Sequence, residues 1–229
     1  MIVSISQPAY LPWLGYFDKI DKSDHHIVLD DVQIETNTKS SFTNRNKIKT
    51  NSGPIWLSVP IKTKNSSNII KDVLIDNSSN WKRKHFNSLQ INYNKSKYFK
   101  NHESWIKDLY SREWSHLSEL NNYITKYLID SLSISTSFSL SSKMKAAGSK
   151  SDYILNLCKE MNATVYLSGP FGKDYLHKEE FKNNNIEIKY HEYVHPNYVQ
   201  LGSNSESYLS ILDLIFNHGS GSLKILKNE

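Results

Sequence analysis

The chain has 229 residues, 38% of them hydrophobic and 12% aromatic, which is enough apolar surface to bury a substantial core and excludes a disordered chain. A net charge of +5 and a pI of about 9.0 permit attraction to phosphate-bearing ligands. The basic residues are scattered among Asn, Ser and Ile, however, so no nucleic acid is expected as the main partner. Residues 1–78 read as β-rich. Ile2–Ser6 is an apolar run expected as a strand, Leu11–Asp21 a short helix with Pro12 in its first turn, and Ile27–Leu29 a second strand. A polar segment then runs to about Gly53, and Ile55–Ile61 and Val73–Asp76 read as further strands, with Pro60 at an end or edge. From 80 to 132 the pattern becomes helical. Trp81, His85, Leu89 and Tyr93 recur every four residues, and Leu117, Leu120, Ile124, Tyr127 and Leu128 share one face. Asn80 and Ser115 are the candidate N-caps. After residue 137 strands and helices alternate: Ser137–Leu140, Ser151–Met161, Thr164–Ser168, Asp174–Lys182 and Ile186–Tyr190, followed by an apolar helix over Tyr208–Phe216.

That alternation predicts βαβ units. The expected fold class is α/β, a mostly parallel, Rossmann-like sheet flanked by helices, with a helical insertion at about 80–132 inside a single domain spanning residues 1–229. Cys158 is the sole cysteine, so an internal disulfide or a cysteine-based metal cluster is impossible. No run approaches the roughly 20 apolar residues of a membrane helix. The first residues read as a strand, with no basic n-region, long apolar h-region or small-residue cleavage site of a signal peptide expected there. No membrane insertion and a cytoplasmic location are therefore expected.

The richest polar cluster lies in the first 33 residues. Gln7, Tyr10, Trp13, Tyr16, Asp30, Asp31 and Gln33 gather around the ends of the first two predicted strands, where open α/β sheets bind ligands. Asp30 and Asp31 point to opposite sides of their strand, and either can take a proton or orient a hydroxyl; turn-and-cap roles read equally well. Arg45 and Asn46 in the TNRNKIK run can reach the same rim, Arg45 offering a fork of donors to phosphate or carboxylate. His85, on the inner face of its helix, is a candidate general base, a hydrogen-bonded core histidine being the alternative. Ser168 and Gly169 form a small turn after an apolar strand, where backbone N–H groups can cradle an anion, although neither GxGxxG nor the P-loop pattern is present. The histidines are dispersed without metal-ligand spacing, so no metal is expected.

At this point the residues resemble a family. The segments Gln7–Phe17 (QPAYLPWLGYF), Asp24–Gln33, Asn44–Ile48 and Ser210–Gly219 follow the pattern of the WbqC-like proteins, and the likeness spans almost the whole chain. Trp56-Leu57, Pro60, Trp81 with His85, Tyr166–Gly169 and Tyr175 fall between those segments. The resemblance adds Tyr175, Asp213 and Asn217 to the candidate binding residues. It implies an enzyme of surface-polysaccharide or O-antigen biosynthesis that transfers an acyl or aminoacyl group, glycyl for example, to the amine of a nucleotide-linked amino sugar. The donor stays open between a coenzyme A or acyl-carrier-protein thioester and an aminoacyl donor. Two other readings stand beside it. One is a nucleotidyltransferase-like enzyme, weakened because aromatic residues stand where that class has paired histidines. The other is a non-catalytic sugar-nucleotide or protein-binding module in glycan assembly.

Overall fold

The computed structural model describes residues 1–35, 41–62, 68–202 and 204–229. In chain order the elements are β1 (Ile2–Ser6), α1 (Leu14–Asp21), β2 (His25–Val28), β3 (Arg45–Thr50), β4 (Gly53–Ser58), α2 (Trp81–Tyr93), α3 (Phe99–Ser111) and α4 (Leu117–Leu132). Then follow β5 (Ser137–Leu140), α5 (Lys150–Glu160), β6 (Val165–Ser168), α6 (Lys178–Asn183), β7 (Glu187–Tyr190), α7 (Ile211–His218) and α8 (Ser222–Leu226). Five strands make one sheet in the order β5-β2-β1-β6-β7, and every neighbouring pair is parallel. The chain builds outward from β1 to β5 on one side, then returns to build β6 and β7 on the other. This is the doubly wound α/β arrangement that the alternation of strands and helices predicts.

The two faces of the sheet are covered differently. Val3, Ile5, Ile27 and Tyr166 pack against Ile154, Leu157 and Cys158 of α5 and Phe181 of α6. Opposite, Ser4 alternates with Val3 and Ile5, as a period of two requires, and its hydroxyl meets Ser23 Oγ at 2.8 Å and His26 Nδ1 at 2.7 Å. Over that face lies α1, whose Leu14, Phe17 and Ile20 share a second core with Leu120, Ile124 and Leu128 of α4 and Leu212 and Phe216 of α7. The insertion of α2, α3 and α4 therefore shares its core with α1. No helix among the described residues is long and apolar enough to cross a membrane.

Several boundaries differ from the sequence expectation, each for a local reason. Helix α1 starts at Leu14 with Trp13 as N-cap, because Leu11 takes a left-handed φ of 45° and its carbonyl accepts from Asn46 Nδ2 at 2.6 Å. Pro12 thus precedes the helix. The segment read as polar, of which residues 36–40 lie outside the described residues, contains β3, paired with β4 as an antiparallel hairpin. Asn51 and Ser52 make its two-residue turn, and Gly53 takes the positive φ of 108° that favours glycine. Beyond β4, Ile61 and Ile75 make only an isolated bridge. The helix expected at 174–182 is a 3-10 turn, Pro170–Asp174, followed by α6. The N-cap position of helix α4 is His116 rather than Ser115, with no side-chain capping bond. Helix α7 starts after Ser210, whose Oγ accepts from Leu212 N, because Tyr208 has a φ of 59°.

Candidate functional site at the carboxyl edge of the sheet

All five parallel strands end on one edge. Gln7 follows β1, Asp30 and Asp31 follow β2, Ser141 and Ser142 follow β5, Gly169 follows β6 and His191 follows β7. Strand order reverses between β1 and β6, and at such a reversal the adjoining loops diverge to leave a crevice. A cleft of about 800 Å³ opens along this edge, lined by Gln7, Asp31, Gln33, Lys150, Tyr153 and Tyr175 among others. A smaller cavity of about 210 Å³, walled by Trp13, Tyr16 and Phe42, shares Gln7 and Glu35 with the cleft. The Trp13 and Phe42 rings lie 4.8 Å apart.

The two aspartates divide the work by exposure. Asp30 is 2% exposed. Its carboxylate accepts from Ser142 N at 2.9 Å and Ser142 Oγ at 2.8 Å and lies 3.2 Å from Ser141 Oγ, whose single proton goes to the nearer Asp31, which ties the end of β2 to the end of β5. Asp31 faces the cleft. Its Oδ1 accepts from Ser141 Oγ at 2.5 Å and its Oδ2 from Tyr153 Oη at 2.5 Å. Burial, with the Asp31 carboxylate beside it, pushes the Tyr153 phenol well above the ordinary tyrosine value. Beneath the end of β1, Lys19 Nζ donates to Ile5 O at 2.7 Å and Ser6 Oγ at 3.1 Å, and burial lowers its pKa to about 8. His191 Nε2 meets the buried Asp18 Oδ2 at 2.6 Å, joining the end of β7 to α1. Asp18 lies below the usual carboxylate range: burial acts to raise it, and the hydrogen bonds from His191 and Lys22 outweigh that.

The structure brings Gln7, Asp31, Gln33 and Tyr175 together around the cleft, with Trp13 in the adjoining cavity and Asp30 as the support beneath. Ser168 and Gly169 sit on the same edge, but Ser168 is 1% exposed and its hydroxyl donates to Gly169 O. The other candidates go elsewhere. Tyr10 and His85 form a buried chain with Tyr110: Tyr10 Oη lies 2.8 Å from His85 Nδ1 and 2.7 Å from Tyr110 Oη. His85 borders a different cavity, of about 350 Å³, with Trp56 and Trp81. Arg45 lays its guanidinium 4.6 Å over the Trp56 ring, and its Nε donates to Ser41 O at 3.4 Å. Asn46 is fully buried against Leu11 O. Asp213 and Asn217 belong to the helical layer, where Asp213 Oδ2 accepts from Tyr93 Oη at 3.1 Å and Asn217 Nδ2 donates to Asp213 O at 2.7 Å. Burial raises the Asp213 pKa, against hydrogen bonds from Tyr93 and Tyr198 that lower it.

Tyr153 and Lys150 are among the cleft residues that sequence reasoning missed. Tyr153 stands beside Ile154 on a helix whose stripe reads as core, and only its polar tip in an apolar row marks it out. Among the described residues, no three His, Cys, Asp or Glu side chains converge as a metal-holding group. The cleft is large enough for a nucleotide-sized ligand.

Comparison with known proteins places this geometry in context. The WbqC-like protein family matches residues 7–225. A Mycobacterium tuberculosis protein, the uncharacterized protein Rv1507c, is 35% identical over 221 residues, covering 95% of this chain and 94% of the relative. No solved structure matches.

Proposed function

The chain belongs to the WbqC-like protein family, and from that premise we propose that it is a group-transfer enzyme of surface-glycan biosynthesis. In this reading it binds a nucleotide-linked amino sugar in the cleft at the carboxyl edge and transfers an acyl or aminoacyl group to the sugar amine. One observation carries the proposal: Gln7, Asp31, Gln33, Tyr153, Lys150 and Tyr175 converge on a cleft of about 800 Å³ where the strand order reverses. Asp31 is then the carboxylate that takes the proton released by the attacking amine. Gln7 and Gln33 offer amides to sugar hydroxyls, Lys150 a cation to phosphate, and Tyr175, 44% exposed, a ring face at the mouth. The adjoining cavity of about 210 Å³ has room for a small transferred group. The donor in this scheme is a coenzyme A or carrier-protein thioester, or an aminoacyl ester.

A second reading, nucleotidyl transfer, draws on the same strand order. The Tyr193 ring weighs against it, because it lies 2.8 Å from where a Cβ on Gly15 would stand and fills the space over the first turn of α1. A thermal-shift screen separates the readings, since a ligand that binds only the folded state raises the melting temperature. A rise of several degrees with an amino-sugar nucleotide, followed by mass-spectrometric detection of its acylated product, is the expected outcome. A rise with ATP and magnesium alone would favour nucleotidyl transfer. Binding without turnover against any donor class would favour a recruiting module.

A further inference from the structure

We infer that Tyr153 is the group that meets the incoming nucleophile and that Asp31 receives the proton through it, so the acceptor of this cleft is a protic one, an amine or a hydroxyl. The inference rests on the group-transfer reading above and deepens it. Both oxygens of Asp31 are already engaged, Oδ1 by Ser141 Oγ and Oδ2 by Tyr153 Oη, each at 2.5 Å. Ser141 also lies against buried Asp30, which accepts from Ser142 N at 2.9 Å and Ser142 Oγ at 2.8 Å. The carboxylate is thus held from behind, and the phenol bonded to it lines the same cavity.

A phenol that gives its one proton to a carboxylate keeps two oxygen lone pairs; Ser141 lies against the Tyr153 oxygen too and covers one of them. The other accepts a hydrogen bond from the N–H or O–H of a bound acceptor. As the acceptor's nitrogen or oxygen bonds to the donor's carbonyl carbon, its proton moves to Tyr153 Oη while the phenolic proton moves to Asp31 Oδ2. When the carbonyl carbon expels its thiolate or alkoxide, the same path run backwards protonates the leaving group, and Tyr153 and Asp31 end as they began. Burial beside Asp31 disfavours the phenolate, which suits a relay in which tyrosine is never left charged. A nucleophile with no proton to lose, such as a phosphate in nucleotidyl transfer, leaves this chain idle.

The test uses the full chain with an amino-sugar nucleotide that raises its melting temperature. Tyr153→Phe is expected to lower kcat by about 100-fold or more, the range of a lost proton-transfer group, while the ligand-induced thermal shift is retained. Asp31→Asn is expected to cost a similar factor, and the double variant little more than either, because the two act as one unit. Retention of more than about a third of kcat in Tyr153→Phe, a loss far short of the proton-transfer range, overturns the relay, as do single losses that multiply. A wild-type protein that acylates no amine or hydroxyl acceptor is a different result: it removes the parent reading, and the relay with it.

Discussion

His85 is 5% exposed and its ring touches two polar partners. Nδ1 lies 2.8 Å from Tyr10 Oη, and the ring also hydrogen-bonds the Ser58 carbonyl. The carbonyl can only accept, so a proton on Nε2 with Nδ1 accepting from Tyr10 satisfies both contacts. Burial lowers the pKa to about 4, against the Ser58 bond that raises it. The unfolded chain therefore binds a proton below about pH 6.5 that the native protein refuses until about pH 4. Stability is complete above that window and falls as pH drops through it, by up to about 3 kcal/mol. Urea unfolding at a series of pH values checks this. His85→Leu should flatten that limb while lowering stability at neutral pH by about 1–3 kcal/mol, since Tyr10 and Ser58 lose a partner. An unchanged acid limb in the variant would remove His85 as its source. The same packing that shifts this histidine keeps it away from the cleft, where the proposed relay uses Asp31 with Tyr153 instead.

At the scale of elements, the turn after β6 depends on a close approach. A Cβ on Gly172 would stand 2.0 Å from Ser168 Oγ and 2.9 Å from Leu176 Cδ1. Glycine is thus required there by space, and the 3-10 turn it permits leads the chain to Tyr175 at the cleft mouth. Gly172→Ala is expected to destabilise by about 1–3 kcal/mol, the cost of overpacking a filled site. Adding Ser168→Ala should recover part of that loss, because it removes the nearest clashing atom. Strict additivity in the double-mutant cycle would refute the contact. The β3–β4 hairpin makes the complementary point about legibility. RNKIKT carries a single apolar residue, Ile48, so its period of two is hidden. In the structure Asn46 and Ile48 are both fully buried on one face, Asn46 being tolerated there because Leu11 O and Lys47 N satisfy its side chain.

Across the whole molecule, the insertion is not a detachable cap. Leu128 of α4 is fully buried in the same cluster as Leu14 and Phe17 of α1 and Phe216 of α7. Thermal unfolding should therefore be one cooperative event, with far-UV dichroism and tryptophan fluorescence giving coincident curves. Leu128→Ala should lower stability by about 2–5 kcal/mol and move both curves together. A shift confined to the fluorescence signal would mean that the helical layer melts alone.

The alternation of apolar runs with helical periods in the last third, and the four-residue repeat at Trp81, His85, Leu89 and Tyr93, determined a parallel α/β sheet with a helical insertion. Those patterns are local consequences of which faces must be buried. The cluster of Gln7, Asp31 and Gln33 was legible for the same reason, because polar residues just beyond apolar strands fall on the carboxyl edge. What the sequence left undecided was which distant segments would share a wall. Tyr153 lies 122 residues from Asp31, and His85 and Asp213 look as chemical as any cleft residue until α2 and α7 turn them into the helical core, with Asn217 half-buried beside Asp213. That choice belongs to tertiary packing, which alone sets whether a polar side chain ends against solvent, a ligand-sized cleft or another buried hydrogen-bond partner.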